Sequence, residues 1–353
     1  MQLALEILTG VCATLPDSDL EPGADDEGIE DEVFEDNAAA DSAMDDTRDD
    51  AMAVDDATLE PNTSHRPATP SFLPTLLEPL LALIQPTELS FPVPSPHAPT
   101  TSALSAIHIA AFECLSNAFF ALAAAPGSAV SDVQAGQRVW STVWAALAGA
   151  GDLLRSSQLS AQAAVWDVAV GVLWGVGAVW TGKIVRGFVT FWVVNVNSPV
   201  LLWLGGVLQV PEEAHVRALI ALCEARSDDA VRVKCIGALS ALAQHDDPAS
   251  LDANRVIASY LLGLLVPGRT GTETMLRAAE SLIDIFADER APAEANFRAG
   301  NVLEALAGAV EGVRRAVKGI DRKKEGGREL RRHGEEVRDN LVAFVQYRRS
   351  LKV

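Results

Sequence analysis

Apolar residues recur three and four positions apart through most of this chain, the spacing of one face of a helix. Residues 1–15 set the pattern with Leu3, Ile7, Leu8, Val11 and Leu15. A helix that short does not stand alone in water. It reads as the second helix of a hairpin whose first helix lies upstream, so the chain is expected to continue a longer protein. The spacing resumes over 72–84. From residue 102 helix follows helix: 104–124, 131–150, 158–180, 212–226, 229–244, 251–266, 272–288, about 301–319 and about 328–349. Within 131–150, Val139, Trp140, Val143, Trp144 and Leu147 share one side; within 158–180, Val165, Trp166, Ala169 and Leu173 do so. Breaks fall at Pro126-Gly127, Gly149 to Gly151, Pro211, Asp246 to Pro248, Pro267-Gly268 and Gly326-Gly327, the stop and start signals of helical hairpins.

The helices repeat. Cys235, Leu239 and Leu242 occupy the same places in 228–244 as Ala278, Leu282 and Ile285 do in 274–288, 43 residues later. Ala111, Leu115 and Ala118 give 104–124 the same character. Two helices in a unit of about 40–47 residues is the HEAT/armadillo signature, and Asp229 followed by Val231-Arg232 reads as the HEAT turn into a second helix. The expected fold is all-α: a HEAT/armadillo-type α-solenoid, a superhelix of helical hairpins, carrying a long disordered acidic insert.

Two stretches depart from the pattern. Residues 16–70 hold too little apolar surface to offset chain entropy and read as a disordered acidic loop. The second is 181–210, rich in Val, Phe, Trp and Gly and without helical period. Three readings stay open for it. Residues 188–210 are long enough to cross a membrane, although Asn195, Asn197, Ser198 and Pro199 interrupt them. The stretch also reads as a buried irregular insert. Removing about 181–205 would join a regular helix ending at Trp180 to GVLQVPEEAHVRAL, so it reads equally as a retained intron. The expected organisation is therefore a partial repeat at 1–15, the acidic loop at 16–70, HEAT-like repeats at 71–180, the anomalous insert at 181–210, and HEAT-like repeats with a basic capping helix at 211–353.

Composition sharpens the picture. Hydrophobic residues make up 49% of the 353 and only 2 are Tyr, a balance that favours helix over sheet. The net charge of −20 is segregated. Residues 17–60 carry nineteen Asp/Glu and one Arg, a net −18, while 314–353 carry thirteen Lys/Arg and six Asp/Glu, a net +7. Segregation of this kind points to charged partners at particular places. The acidic residues Asp25, Asp26, Glu27, Glu30, Asp31, Glu32, Glu35, Asp36, Asp45, Asp46, Asp49 and Asp50 are the candidate client-binding positions. Such carboxylates can neutralise Lys/Arg clusters without fixed geometry, through fast and salt-sensitive contacts. Phosphates would be repelled, so no direct nucleic-acid partner is expected, and no membrane partner either. An inert, solubilising linker is the plainer reading of the same residues.

Reactive chemistry is not signalled. The cysteines Cys12, Cys114, Cys223 and Cys235 form no CxxC and read as reduced, buried thiols. The six histidines (His65, His97, His108, His215, His245, His333) are isolated, and His108 reads as a core or flank residue. Asp228-Asp229 and Asp246-Asp247 sit where carboxylates cap helices. No phosphate loop, HExxH or nucleophile elbow is present, so no enzyme, cofactor or metal is expected. Asn62-Thr63-Ser64 fits a glycosylation sequon without a secreted context to support it. In the last helix Arg328, Arg331, Arg332, Arg338, Arg348 and Arg349 read as a wet face opposite Val337, Leu341, Phe344, Val345 and Leu351. Arg322, Lys323 and Lys324 offer a nuclear-localisation reading.

The ordered set LALEILTGVCATL, long acidic insert, IHIAAFECLSNAFFAL, GVLQVPEEAHVRALIALCEA, ANFRAGNVLEAL and NLVAFVQYRRSL resembles the C-terminal half of a fungal symportin. Symportins are mixed armadillo/HEAT adaptors. The resemblance covers most of the chain except 181–206. It implies a non-enzymatic adaptor that carries the two basic ribosomal proteins associated with 5S rRNA, shuttling between cytoplasm and nucleus for large-subunit assembly. It implies a karyopherin partner as well, engaged through an N-terminal half that this sequence lacks. A general HEAT-repeat transport or regulatory scaffold for other folded proteins is the alternative.

Overall fold

The computed structural model describes residues 72–91, 95–124, 132–151, 160–181, 212–244 and 250–351. These residues form eleven helices and no strand: α1 (Phe72–Leu83), α2 (Ala98–Ala124), α3 (Val133–Ala150), α4 (Ser160–Val179), α5 (Glu212–Ala225), α6 (Asp229–Ala243), α7 (Leu251–Leu264), α8 (Thr272–Ile285), α9 (Glu294–Ala299), α10 (Val302–Lys318) and α11 (Gly327–Ser350). The all-α repeat class expected from the sequence is the one observed. Most helix ends fall within a few residues of expectation. The start of α2 does not: it begins before Pro99, which sits in the first turn where a missing N–H is tolerated. Helix α9 has no counterpart in the sequence reading, because six residues show no period.

The helices stack as two rows. α2, α4, α6, α8 and α11 form one, each packed on the next; α1, α3, α5, α7 and α10 form the other, each against its hairpin partner. The repeat positions are the reason. Cys235, Leu239 and Leu242, and their equivalents Ala278, Leu282 and Ile285, are all buried, as are Ala111, Leu115 and Ala118. Polar bonds between neighbouring repeats keep a similar interval. Arg269 Nη2 donates to Glu224 (3.3 Å), Thr274 Oγ1 to Asp229 Oδ1 (2.8 Å) and Asn296 Nδ2 to the Leu251 carbonyl (2.7 Å), each across 45 positions. At the Asp-Val-Arg turn, Asp228 caps α6 by accepting from the Ala230 N–H (2.9 Å), a bond of about 1 kcal/mol. Arg232 Nε donates back to the carbonyls of Arg226 (2.7 Å) and Cys223 (3.3 Å), satisfying the open C-terminus of α5.

α2 and residues 161–179 of α4 are long and apolar enough to cross a membrane. In the array α2 packs against α1 and α4, and α4 against α2, α3 and α6, so their apolar surface is used between helices. His108 is held in the same packing. Its Nδ1 lies 2.6 Å from the Leu83 carbonyl and its Nε2 lies 2.8 Å from Ser90 Oγ. The carbonyl can only accept, so Nδ1–H donates and, in the neutral ring, Nε2 accepts from Ser90. His108 is thus the core residue the sequence suggested.

The array continues across the interval 182–211. Trp144 of α3 stacks on His215 of α5 at 4.1 Å between ring centroids, with the planes 11° apart, and its edges meet Trp140 and Trp166 at 6.3 Å. Arg226, just past α5, donates from Nε to Asp167 of α4 at 2.6 Å. The three readings of 181–210 concern residues that, beyond Thr181, lie outside the described ones, as do those of 1–15 and 16–70.

The last helix corrects one expectation. Arg328, Arg332 and Arg349 are exposed and Arg331 and Arg338 are half-buried, but Arg348 is only 5% exposed. Its guanidinium lies 3.9 Å over the Phe297 ring, 3.6 Å from a Glu289 carboxylate oxygen, and bonds the Glu294 carboxylate. Phe297 and Glu294 belong to α9. The sequence hid the helix, and so it hid the reason to bury this arginine. Val337, Leu341, Phe344 and Val345 are buried as expected; Leu351 is half-buried.

Candidate functional site

The row of second helices carries an open stripe from end to end. Helical spacing puts Glu113, Ser116, Asn117 and Phe120 on one side of α2. The first three, with Val168 of α4 and Lys234 of α6, line a shallow cavity. The two backbones approach closely there: a Cβ at Gly171 would come within 2.8 Å of Ser116 Oγ and 3.6 Å of Lys234 Cδ.

Beside the cavity stands Trp174, half-buried. Phe120 meets it edge to face at 4.7 Å, and the Arg277 guanidinium of α8 lies 4.8 Å from its ring centroid. An indole on α4 reaches a guanidinium on α8 only by crossing α6. Gly237 makes the crossing possible, since a Cβ there would collide with the indole. Arg277 then pairs with Glu280 (3.2 Å), and Glu280 with His333 of α11 (3.3 Å). Aromatic, cation, anion and imidazole are thereby linked from α2 to α11. A half-exposed Trp beside a part-desolvated Arg is the composition of a protein-binding hot spot, and cation–π contacts of this kind contribute about 0.5–2 kcal/mol.

The C-terminal end of the array is basic. Nine Lys/Arg and three Asp/Glu lie in 314–332, which covers the last turn of α10, the connection at 319–326 and the start of α11. Arg314 pairs with Glu311 (3.1 Å), Arg331 with Glu335 (2.6 Å) and Arg322 with the same carboxylate (3.7 Å). Lys318, Lys323, Lys324, Arg328 and Arg332 are exposed and have no ion-pair partner among the described residues.

The residues singled out from sequence divide sharply. All twelve candidate client-binding carboxylates, Asp25 to Asp50, lie outside the described residues, as do Asp246 and Asp247. Asp228 is a helix cap, and Asp229 is an inter-repeat acceptor. Cys114, Cys223 and Cys235 are buried thiols outside any disulfide. The Cys235 thiol is pushed up by its hydrogen bond with Cys223 and by burial, which keeps it protonated. Burial among the tryptophans pushes His215 down to about 4, so the ring is neutral. No group of His, Cys, Asp and Glu suited to a metal ion occurs among the described residues. The stripe through Phe120, Trp174, Arg277, Glu280 and His333 was missed. Its one sequence signal is a tryptophan set off from the buried face of its helix.

Residues 72–352 match a protein family described as SYO1-like, TPR repeats. No curated protein matches the chain. The interval of 43 to 45 residues seen here is longer than the 34-residue TPR hairpin and falls in the HEAT range.

Proposed function

The chain belongs to the SYO1-like family of TPR-repeat proteins, and from that premise we propose that it is an adaptor for basic ribosomal proteins. Membership makes it a helical-repeat scaffold that works by holding partners. The clients we propose are the two proteins that associate with 5S rRNA, held along the stripe of the second-helix row, with the carboxylates of 17–60 covering their basic surface. Escort from cytoplasm to nucleus follows from that assignment, with a karyopherin engaged outside the repeats.

The observation that carries the reading is the family match over residues 72–352, which takes in every described helix. Charge supports it. A net −18 in 44 residues complements Lys/Arg-rich proteins that are insoluble before they meet RNA, and it excludes RNA from them meanwhile. The test is a pull-down with the whole chain as bait, eluted along a salt gradient and read by mass spectrometry. The two 5S-associated proteins should be enriched and released as salt rises. Deleting 17–60 should weaken their retention. Recovery of other folded partners, or binding indifferent to salt, would remove the client assignment and leave the scaffold.

A further inference from the structure

We infer that the basic end of the array, formed by Lys318, Lys323, Lys324, Arg328 and Arg332, is a docking face for the acidic segment 17–60 of the same chain. Three observations carry this. First, these side chains are exposed and have no carboxylate partner among the described residues, although neighbouring Arg314, Arg322 and Arg331 have found theirs. Residues 314–332 carry a net +6, and a net +4 remains once the paired Glu311 and Glu335 are counted with them. Arg315 adds to the field, since among the described residues its Nε is bonded to a backbone carbonyl, that of Glu311, and to no carboxylate. An uncompensated cluster of this size costs self-repulsion, which an anion relieves.

Second, the one strongly anionic stretch of the sequence is 17–60, at −18. A face of net charge +4, its paired carboxylates counted, leaves most of the segment's carboxylates uncompensated. The same segment can therefore hold the cap and still be drawn to a more basic surface.

Third, the length suffices. Four helix-to-helix steps along the row, from α2 to α11, span about 32–40 Å at 8–10 Å each. Asp25 to Asp50 lie 22 to 47 residues before Phe72, a maximum reach of about 75–160 Å at 3.4 Å per residue. Tethered contacts of this kind meet at effective concentrations near millimolar, enough to favour the chain's own cap over a dilute polyanion. A basic partner would then engage the acidic segment by displacing it from the cap. The inference rests on charge and tether length alone, not on which client the adaptor carries.

The experiment is zero-length carbodiimide cross-linking of the whole chain, in its monomer fraction, followed by peptide mapping. Carboxylates of 17–60 should join Lys318, Lys323 and Lys324, and at least three-fold less often Lys234 of α6. The yield should fall at least five-fold between 50 mM and 500 mM salt. A whole-chain variant with Arg315→Ala, Arg328→Ala and Arg332→Ala keeps the reacting lysines and alters only exposed side chains. Its yield should fall at least three-fold with an unchanged melting temperature. Equal linkage to Lys234, linkage only between chains, or an unaltered yield in the variant would overturn the inference. So would retention of a polyuridylate oligonucleotide on this end at 150 mM salt in place of the cross-links, which would give the face to nucleic acid.

Discussion

Replacing His215 with phenylalanine should remove an acid sensitivity built into the junction between α3 and α5. The imidazole lies flat on Trp144 and edge-on to Trp140 at 6.4 Å, and it is 7% exposed. No partner is available to its Nε2 among the described residues. Burial holds the group at about 4, against an ordinary value of 6.5. Between those values the unfolded chain binds a proton that the folded chain refuses. Stability contributed by the neutral ring is therefore complete above pH 6.5 and is lost as pH falls through the window. One unit is worth 1.36 kcal/mol. The linkage integral gives a loss of about 2 kcal/mol by pH 5 and about 3 kcal/mol by pH 4. Phenylalanine keeps a flat ring against Trp144 and cannot titrate, so His215→Phe should lie within about 1.5 kcal/mol of wild type at pH 7. Urea unfolding of the two proteins at pH 7, 6, 5 and 4.5 measures the difference, and the other titrating groups cancel. With a slope of about 2–3 kcal/mol per molar urea, the variant's midpoint should gain about 0.7–1 M on wild type between pH 7 and pH 5. Parallel pH profiles would refute the claim that this ring is held neutral by its burial.

Three further outcomes follow from the same packing. Arg348→Ala removes a buried guanidinium from Glu289 and Glu294 and from the Phe297 ring; it should cost about 3–5 kcal/mol in calorimetric melting, while Arg349→Ala, at an exposed position, should stay within about 0.5 kcal/mol. Cys114, Cys223 and Cys235 are buried and Cys235 is held protonated, so in a Cys12→Ser chain iodoacetamide should label none of the three until the protein unfolds; rapid native labelling of Cys235 would contradict its placement. Because α3 meets α5 and α4 meets α6 directly, replacing 182–210 with an eight-residue Gly/Ser linker should preserve the helical circular dichroism signal. It should change stability only by the closure entropy of a shorter loop, about 1 kcal/mol; loss of cooperative melting would show that the junction needs those residues.

Much was legible in the chain itself. Apolar spacing in α6 and α8 is set by each helix's own turn, so Cys235, Leu239 and Leu242 and their equivalents 43 residues on announce both the helices and the repeat. Punctuation is local as well. Gly151 (φ +108°) and Gly326 (φ +67°) end or begin helices where a side chain would be strained, and Asp228 caps α6 with its own carboxylate. Segregation of −18 against +7 is likewise a property of the sequence. Tertiary structure decided what depends on residues far apart. Nothing local to Arg348 distinguishes it from Arg349; one is buried because a short helix some fifty residues earlier supplies Phe297 and Glu294. Trp174 is set off from the buried face of its own helix, but only Gly237 on the next helix leaves it a path to Arg277 two helices away. In the sequence His215 is one of six isolated histidines; only the stacked helices bring Trp144 over it. Periodicity and charge are written one helix at a time, whereas the solvent each side chain loses, and hence its pairing and protonation, is fixed only when the rows stack.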